Sequence, residues 1–212
     1  MESYYIIPAM QNSSDNDIRN QSHIEIREEP LSWLAEYGSI SIAFMVSTIL
    51  DIANGNCDLD RLIKSEHQIE TPYVKDYDLI PGNNPIDWAA TFDIANWGLI
   101  SARVDGKIMG GAVIAHQTDN LIMLEEQTDQ AVLWDIRISP DWRGRGIGSA
   151  LLAASERWAK VRGCRIFKIE TQNINVAACK FYARQGYKLE KIQPNAYPEL
   201  PDEIQLIWCK NL

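Results

Sequence analysis

The period of the hydrophobic pattern changes along the chain, and each change marks an element. Residues 1–22 keep no period: an apolar start gives way to a polar run over 11–17, which predicts a loosely packed arm. Residues 22–27 alternate and predict a first strand. Leu31, Leu34, Ile40, Phe44, Met45, Val46 and Ile49 fall near helical spacing with a break at Gly38, so one or two helices are expected over 31–50. A further helix is expected to start near Asp58. Pro72, Pro81 and Pro85, with Gly82-Asn83-Asn84 among them, predict a long connection over 70–96. Long ordered connections often carry function.

Strand signals sharpen after residue 96. Residues 97–104 and 107–116 flank Asp105-Gly106, a dipeptide whose two residues tolerate positive φ and so favour a tight hairpin. A polar excursion over 117–130 leads into a strand over 131–138. Simple alternation puts Val132, Trp134, Ile136 and Ile138 on one face and Leu133, Asp135 and Arg137 on the other. Ile147, Ala150, Leu151, Ala154, Trp158 and Val161 predict an amphipathic helix that Gly163 can end. A strand over 165–171, a helix over 175–185 stopped by Gly186, and strands over 187–192 and 203–210 complete the pattern. The order is mixed α/β with grouped strands and no internal repeat. A length of 212 residues favours one elaborated domain, taken as 23–212, with the arm 1–22 attached.

The charge is uneven. Residues 1–134 hold 7 basic and 21 acidic side chains, a net of −14, whereas residues 135–193 hold 12 and 5, a net of +7. The basic part suits a polyanionic ligand and the acidic part a cationic one. An overall charge of −9 argues against non-specific nucleic-acid binding. The longest apolar stretch, residues 40–50, is too short to span a bilayer. The N-terminus lacks the features of a secretory signal, so a cytoplasmic protein without membrane contact is expected. Four cysteines lie far apart, with no CxxC pair and no histidine nearby. Neither a metal site nor a disulfide scaffold is expected.

The most informative run is residues 139–152, SPDWRGRGIGSALL, which follows a strand and opens a helix. Gly144, Gly146 and Gly148 strip side chains where the backbone must curl. Freed N–H groups at a helix N-terminus converge on an anion, with Arg143 and Arg145 adding charge. A dinucleotide fingerprint fails because Ser149 stands where its third glycine belongs, and a Walker loop fails for want of Lys-Ser/Thr.

Arg143-Gly144-Arg145-Gly146-Ile147-Gly148 resembles the Q/R-x-x-G-x-G/A signature of the GNAT N-acetyltransferase superfamily. A second block, ETQNINVAACKFYARQGYKL over 170–189, resembles the family's strand, asparagine, helix and Phe-Tyr segment, and is similar to that of streptothricin acetyltransferases. The resemblance covers about residues 97–212. It implies a GNAT-like mixed, mostly antiparallel α/β sheet, splayed between its fourth and fifth strands, with helices on both faces. It also implies acetyl-CoA as cosubstrate. Backbone groups of Ile136, Arg137 and Ile138 would bond the pantetheine arm. The N–H groups of Arg143, Gly144, Arg145, Gly146, Ile147, Gly148 and Ser149 would hold the pyrophosphate. Asn175 matches an asparagine that bonds the pantetheine region, and Tyr182 matches the tyrosine that protonates the departing thiolate.

Acetyl transfer to an amine needs that amine neutral. A lysine-like amine titrates near 10.4, so presenting it neutral at pH 7 costs roughly 4.6 kcal/mol. A carboxylate acting directly or through water offsets part of this. Asp135 and Glu170 are the candidate bases, placed by sequence next to the expected splay. Glu125 and Glu126 are secondary candidates. Trp33, Tyr37, Trp88 and Trp97 are candidates for the acceptor pocket. The expected acceptor is a primary amine of a cationic small molecule, for which a streptothricin-like antibiotic is the leading class. Rival expectations are a protein or peptide amine, or a module that senses acetyl-CoA without turnover. Either a monomer or a homodimer is compatible with the sequence.

Overall fold

The computed structural model describes residues 24–52 and 65–212, together with the backbone of 5–7. The helix expected near Asp58 lies outside the described residues, as does the rest of the arm. Within the arm, Tyr5–Ile7 forms strand β1, antiparallel to β2 (Ile24–Glu29). Next come a short helix α1 (Leu34–Gly38), β3 (Phe44–Leu50), β4 (Glu66–Lys75) and a four-residue helix α2 (Trp88–Thr91). Strands β5 (Gly98–Val104) and β6 (Lys107–His116) form the hairpin expected at Asp105-Gly106, with φ of 50° and 79° at its two central residues. Strand β7 (Gln130–Ile138) leads through the glycine turn into α3 (Ile147–Val161). Then follow β8 (Ile166–Gln172), α4 (Val176–Arg184), β9 (Lys188–Gln193) and β10 (Gln205–Asn211).

Eight strands form one sheet in the order β1-β2-β5-β6-β7-β8-β10-β9. Every pairing in it is antiparallel except β7 with β8. Helix α3 covers one face: Ile147, Leu151, Leu152 and Trp158 join Ile100, Ala112, Ile114 and Leu133 in one core. Each such fully buried aliphatic side chain contributes about 1.5–3 kcal/mol. A second core lies on the other face, where Leu34, Tyr37, Trp88 and Trp97 meet Leu99, Val113 and Val132. Gly111 of β6 permits this contact, because a Cβ there would stand 2.8 Å from the Tyr37 ring.

Two expectations are corrected. The helix reading of 31–50 holds only to Gly38. Residues 44–50 are a strand, paired with β4 in a separate two-stranded sheet. The run Val46-Ser47-Thr48-Ile49 is rich in β-branched side chains, which suit a pleated ribbon better than a helix. That hairpin also brings residues 70–75 of the expected connection into regular structure. The second correction concerns β7. Its partner register jumps from Val113↔Asp135 to Ile114↔Leu133, leaving Trp134 as an extra residue. This bulge breaks the alternation. Val132 and Trp134 face the second core, whereas Ile136 and Ile138 pack against the first.

Candidate active site

Strands β7 and β8 pair only from Gln130↔Ile166 to Leu133↔Ile169. Beyond the bulge they part, and the opening between them is the splay that the resemblance implies. Counted across the sheet from β2, these are the fourth and fifth strands. The Ser139 N–H donates to Met109 O on β6 at 2.8 Å. Backbone groups alternate in direction along a strand, so Ile136 and Ile138 turn theirs away from β6, into the opening. A cleft of about 710 Å³ runs through it, from the glycine turn to an aromatic end at Phe44, Tyr77, Trp88 and Trp134.

At the glycine turn, Gly144 and Gly146 have φ of 74° and 82°, a region costly for residues with a Cβ. Gly146 is the N-cap of α3 and offers no side chain to cap it. The helix's first N–H groups are therefore left for an external acceptor. Gly144, Gly146, Ile147, Gly148 and Ser149 line the cleft. Of the two arginines, Arg143 lines the cleft and Arg145 does not, and both side chains already have partners. Arg143 reaches Ile138 O at 3.0 Å and Ala43 O at 3.1 Å, and Arg145 stacks on Trp142 with 4.7 Å to the ring centre. Ser149 Oγ accepts from Gln185 at 3.1 Å.

On α4, Asn175, Ala178 and Tyr182 all line the cleft, as the helical spacing predicts. The Asn175 side chain caps the helix, accepting from the Ala178 N–H at 3.1 Å. The Tyr182 ring packs between Phe181 and Tyr187. Burial, and next the nearby Asp135 charge, push the Tyr182 phenol well above its ordinary range. Below it, burial lifts the Cys179 thiol to about 11.

The two candidate bases have different surroundings. Asp135 accepts from Tyr37 Oη at 2.6 Å and from Arg137 Nη2 at 2.5 Å. Arg137, whose side chain has 0% exposure, also makes a two-pronged contact with Asp78 at 2.9 and 3.1 Å and donates to Ile40 O. Burial works against the Arg137 charge, but Asp135 and Asp78 outweigh it and hold the guanidinium protonated. Glu170 sits on the opposite bank. It accepts from Tyr197 Oη and, at 2.7 Å, from Gln205 Nε2. Burial raises its pKa above the ordinary 4.5, against the lowering effect of those donors.

Of the aromatic candidates, Trp88 lines the cleft. Tyr37 is buried beside Asp135, Trp33 lies under Arg103, and Trp97 is buried with its Nε1 on Thr118. Glu125 is paired with Lys168 at 2.9 Å and lies outside the cleft lining, as does Glu126. Sequence reasoning missed Phe44, Tyr77, Asp78 and Tyr197. The Pro-rich composition around 70–96 pointed to the right segment for Tyr77 and Asp78, without singling them out. Among the described residues, no group of three His, Cys, Asp or Glu side chains is placed to hold a metal ion. No described helix is long and apolar enough to cross a membrane.

The splayed sheet, uncapped helix and glycine turn define an acyltransferase type of fold. The profile of the acetyltransferase (GNAT) family matches residues 60–187, and the chain belongs to that family. Streptothricin acetyltransferase A of Bacillus subtilis is 35% identical over 80 residues, covering 37% of this chain and 46% of the relative. The streptothricin acetyltransferase of Streptomyces lavendulae is 25% identical over 145 residues, covering 68% and 71%. The chain thus spans about half the length of the first curated relatives it matches. A Bacillus anthracis protein provisionally named streptothricin acetyltransferase, solved with acetyl coenzyme A, superposes with a TM-score of 0.65 at 25% identity, over 89% of this chain and 99% of that one.

Proposed function

We propose that this protein is an N-acetyltransferase that moves an acetyl group from acetyl-CoA to a primary amine of a cationic small molecule. The observation that carries the reading is the continuity of one cleft. It joins an anion-ready helix terminus to a carboxylate-bearing, aromatic acceptor end through a gap in the sheet. These features fit acetyl-CoA: uncapped N–H groups for the diphosphate, and the outward backbone of Ile136 and N–H of Ile138, whose carbonyl accepts from Arg143, for an extended amide-bearing arm. The backbone N–H groups from Arg143 to Ser149 would hold the diphosphate, with Arg143 and Arg145 acting through charge alone.

When bound, acetyl-CoA supplies an acetyl group activated as a thioester. Glu170 takes the proton that the acceptor nitrogen must lose, since burial has lifted its affinity for that proton. Tyr182 gives a hydrogen bond to the sulfur as it gains charge. Asp135, with both oxygens held by Tyr37 and Arg137, fixes the bulge rather than moving protons. Holding both reactants in one groove lowers the entropic part of the barrier.

Phe44, Trp88 and Trp134 at the acceptor end suit an organic cation, since aromatic faces attract positive charge, whereas the Tyr77 ring already carries Lys75. Two carboxylates, Asp78 and Asp135, share one guanidinium there, which leaves a net negative charge. Streptothricin-like antibiotics are the leading class, supported by the relatives that carry that name. A thiol-release assay over streptothricin, aminoglycosides, polyamines and peptide N-termini tests the reading. Release with streptothricin above the other acceptors is expected. Acetyl-CoA binding with no release from any acceptor would leave a sensing module in its place.

A further inference from the structure

The segment between β9 and β10 is held firmly against the end of β8. Asn173 and Ile204 exchange two hydrogen bonds, Asn173 N–H to Ile204 O at 3.1 Å and Ile204 N–H to Asn173 Oδ1 at 2.9 Å. Within the segment, Leu200 N–H returns to Tyr197 O at 3.0 Å. Tyr197 is thereby placed with its hydroxyl on Glu170 Oε1. Gln172 Nε2 donates to the same hydroxyl at 3.0 Å, which leaves the phenol proton for Glu170. Gln205 Nε2 donates to the other carboxylate oxygen, and Gln193 Nε2 in turn donates to Gln205 Oε1 at 2.6 Å, fixing that amide's orientation. Glu170 therefore receives a donor on each oxygen from outside its own strand, beside a longer contact to Oε1 from Gln172 Nε2 of β8 at 3.4 Å.

Building on the acetyltransferase reading, we propose that Tyr197 is a positioning residue, which with Gln205 holds Glu170 ionised and aimed as the base of the cleft. A buried carboxylate would otherwise keep its proton and accept none from the acceptor. The charged surroundings do not replace this role. On the β4 side, Lys75 is bound to Glu203, which also accepts from Tyr77 at 2.6 Å. On β8 itself, Lys168 is bound to Glu125. Lys191 of β9 is separated from Glu170 by Ile207 in the strand register. Across the cleft, Arg137 is shared by Asp78 and Asp135. Each of these cations already has a carboxylate partner or a strand between it and Glu170. Neutral donors hold the base, so its proton affinity falls less than it would beside a free cation.

The test is a carbon-13 NMR titration of the full chain labelled at glutamate Cδ, with the Glu170 signal assigned by its loss in Glu170→Gln. Tyr197→Phe removes one hydroxyl and is expected to raise the Glu170 midpoint by about 1–2 pH units, the worth of a hydrogen bond to a charged group. Gln205→Leu should raise it in the same sense and decides the matter if Tyr197→Phe does not fold. Tyr187→Phe, whose hydroxyl donates to Glu156 and to none of the groups around Glu170, should leave it in place. In acetyl transfer, the acid limb of kcat/KM should move by the same amount, with activity recovered at higher pH. An unmoved Glu170 midpoint in the folded variants overturns the assignment of Tyr197, whatever the activity. A moved midpoint in a protein that acetylates no acceptor leaves Tyr197 in its role toward Glu170 and removes the acetyltransferase reading.

Discussion

A phenol kept protonated by burial is a weak acid, and that limits what Tyr182 can do. An ordinary thiol titrates near 8.5, below even an unperturbed phenol, so full proton transfer to the departing sulfur is uphill. A hydrogen bond that strengthens as charge builds on sulfur is not. Tyr182→Phe should therefore lower kcat by about 10²-fold while calorimetric acetyl-CoA affinity stays unchanged. Equal losses in both would make Tyr182 a packing residue. Glu170 sets the pH response. Its folded pKa lies above its unfolded one, so the fold binds that proton more tightly than the open chain does. Stability from this group is present below pH 4.5 and is lost as pH rises through the folded value. Against wild type, Glu170→Gln should gain relative stability across that window, as thermal midpoints measured at several pH values will show. Asp135→Asn is expected to behave otherwise. It should lower unfolding stability by about 1.5–3 kcal/mol, the worth of charged hydrogen bonds, and leave the acid limb of the rate profile where it was.

At the scale of elements, the glycine turn and the bulge make the cleft between them. Gly146 has φ of 82° and open space around its missing Cβ, so alanine there meets no clash, only backbone strain. That strain is about 1–2 kcal/mol. Gly146→Ala should weaken acetyl-CoA binding by about 5–30-fold as the turn relaxes, with the circular dichroism of the sheet unchanged. Retained affinity would mean that the N–H groups of this turn are not the anion site. This turn was legible in the sequence because its chemistry is local: glycines, a strand before it and an amphipathic helix after it. The Asp105-Gly106 hairpin and the helix ends at Gly163 and Gly186 were legible for the same reason. The bulge was not. A single unpaired residue, Trp134, leaves no mark in the hydrophobic pattern, yet it reverses which face Ile136 and Ile138 occupy. The Tyr37–Asp135 bond and the Tyr197–Glu170 bond join residues that only the assembled sheet brings together. No spacing rule reaches them.

Across the whole molecule, the two-stranded β3–β4 sheet contributes Phe44 to the acceptor end of the cleft and is tied to the rest of the fold largely by polar contacts. Lys75 meets Glu203, Lys180 meets Glu66, Arg137 grips Asp78, and Leu50 N–H donates to Asn173 O at 3.1 Å. Apolar anchoring comes mainly from the fully buried Val46 and Leu50, whereas Met45, Tyr73 and Val74 face solvent. The β5–β6–β7 region is instead buried on both faces. Regions with few buried apolar contacts open at lower free energy than a core of this kind. Amides of β3 and β4 should therefore exchange with deuterium well before those of β5 to β7, in a local opening that leaves the main sheet protected. Asp78→Asn weakens one tie without touching the wing's own strand pairing. It should speed exchange in β3 and β4 and leave β6 unaltered, although Arg137 lies on β7 opposite Gly111 of β6. Under the proposed function the acceptor binds against this wing, so saturating acceptor together with acetyl-CoA should slow the same amides. If the wing and the central strands exchange in step, with or without Asp78, the ties are cooperative with the core and the acceptor end is a fixed wall.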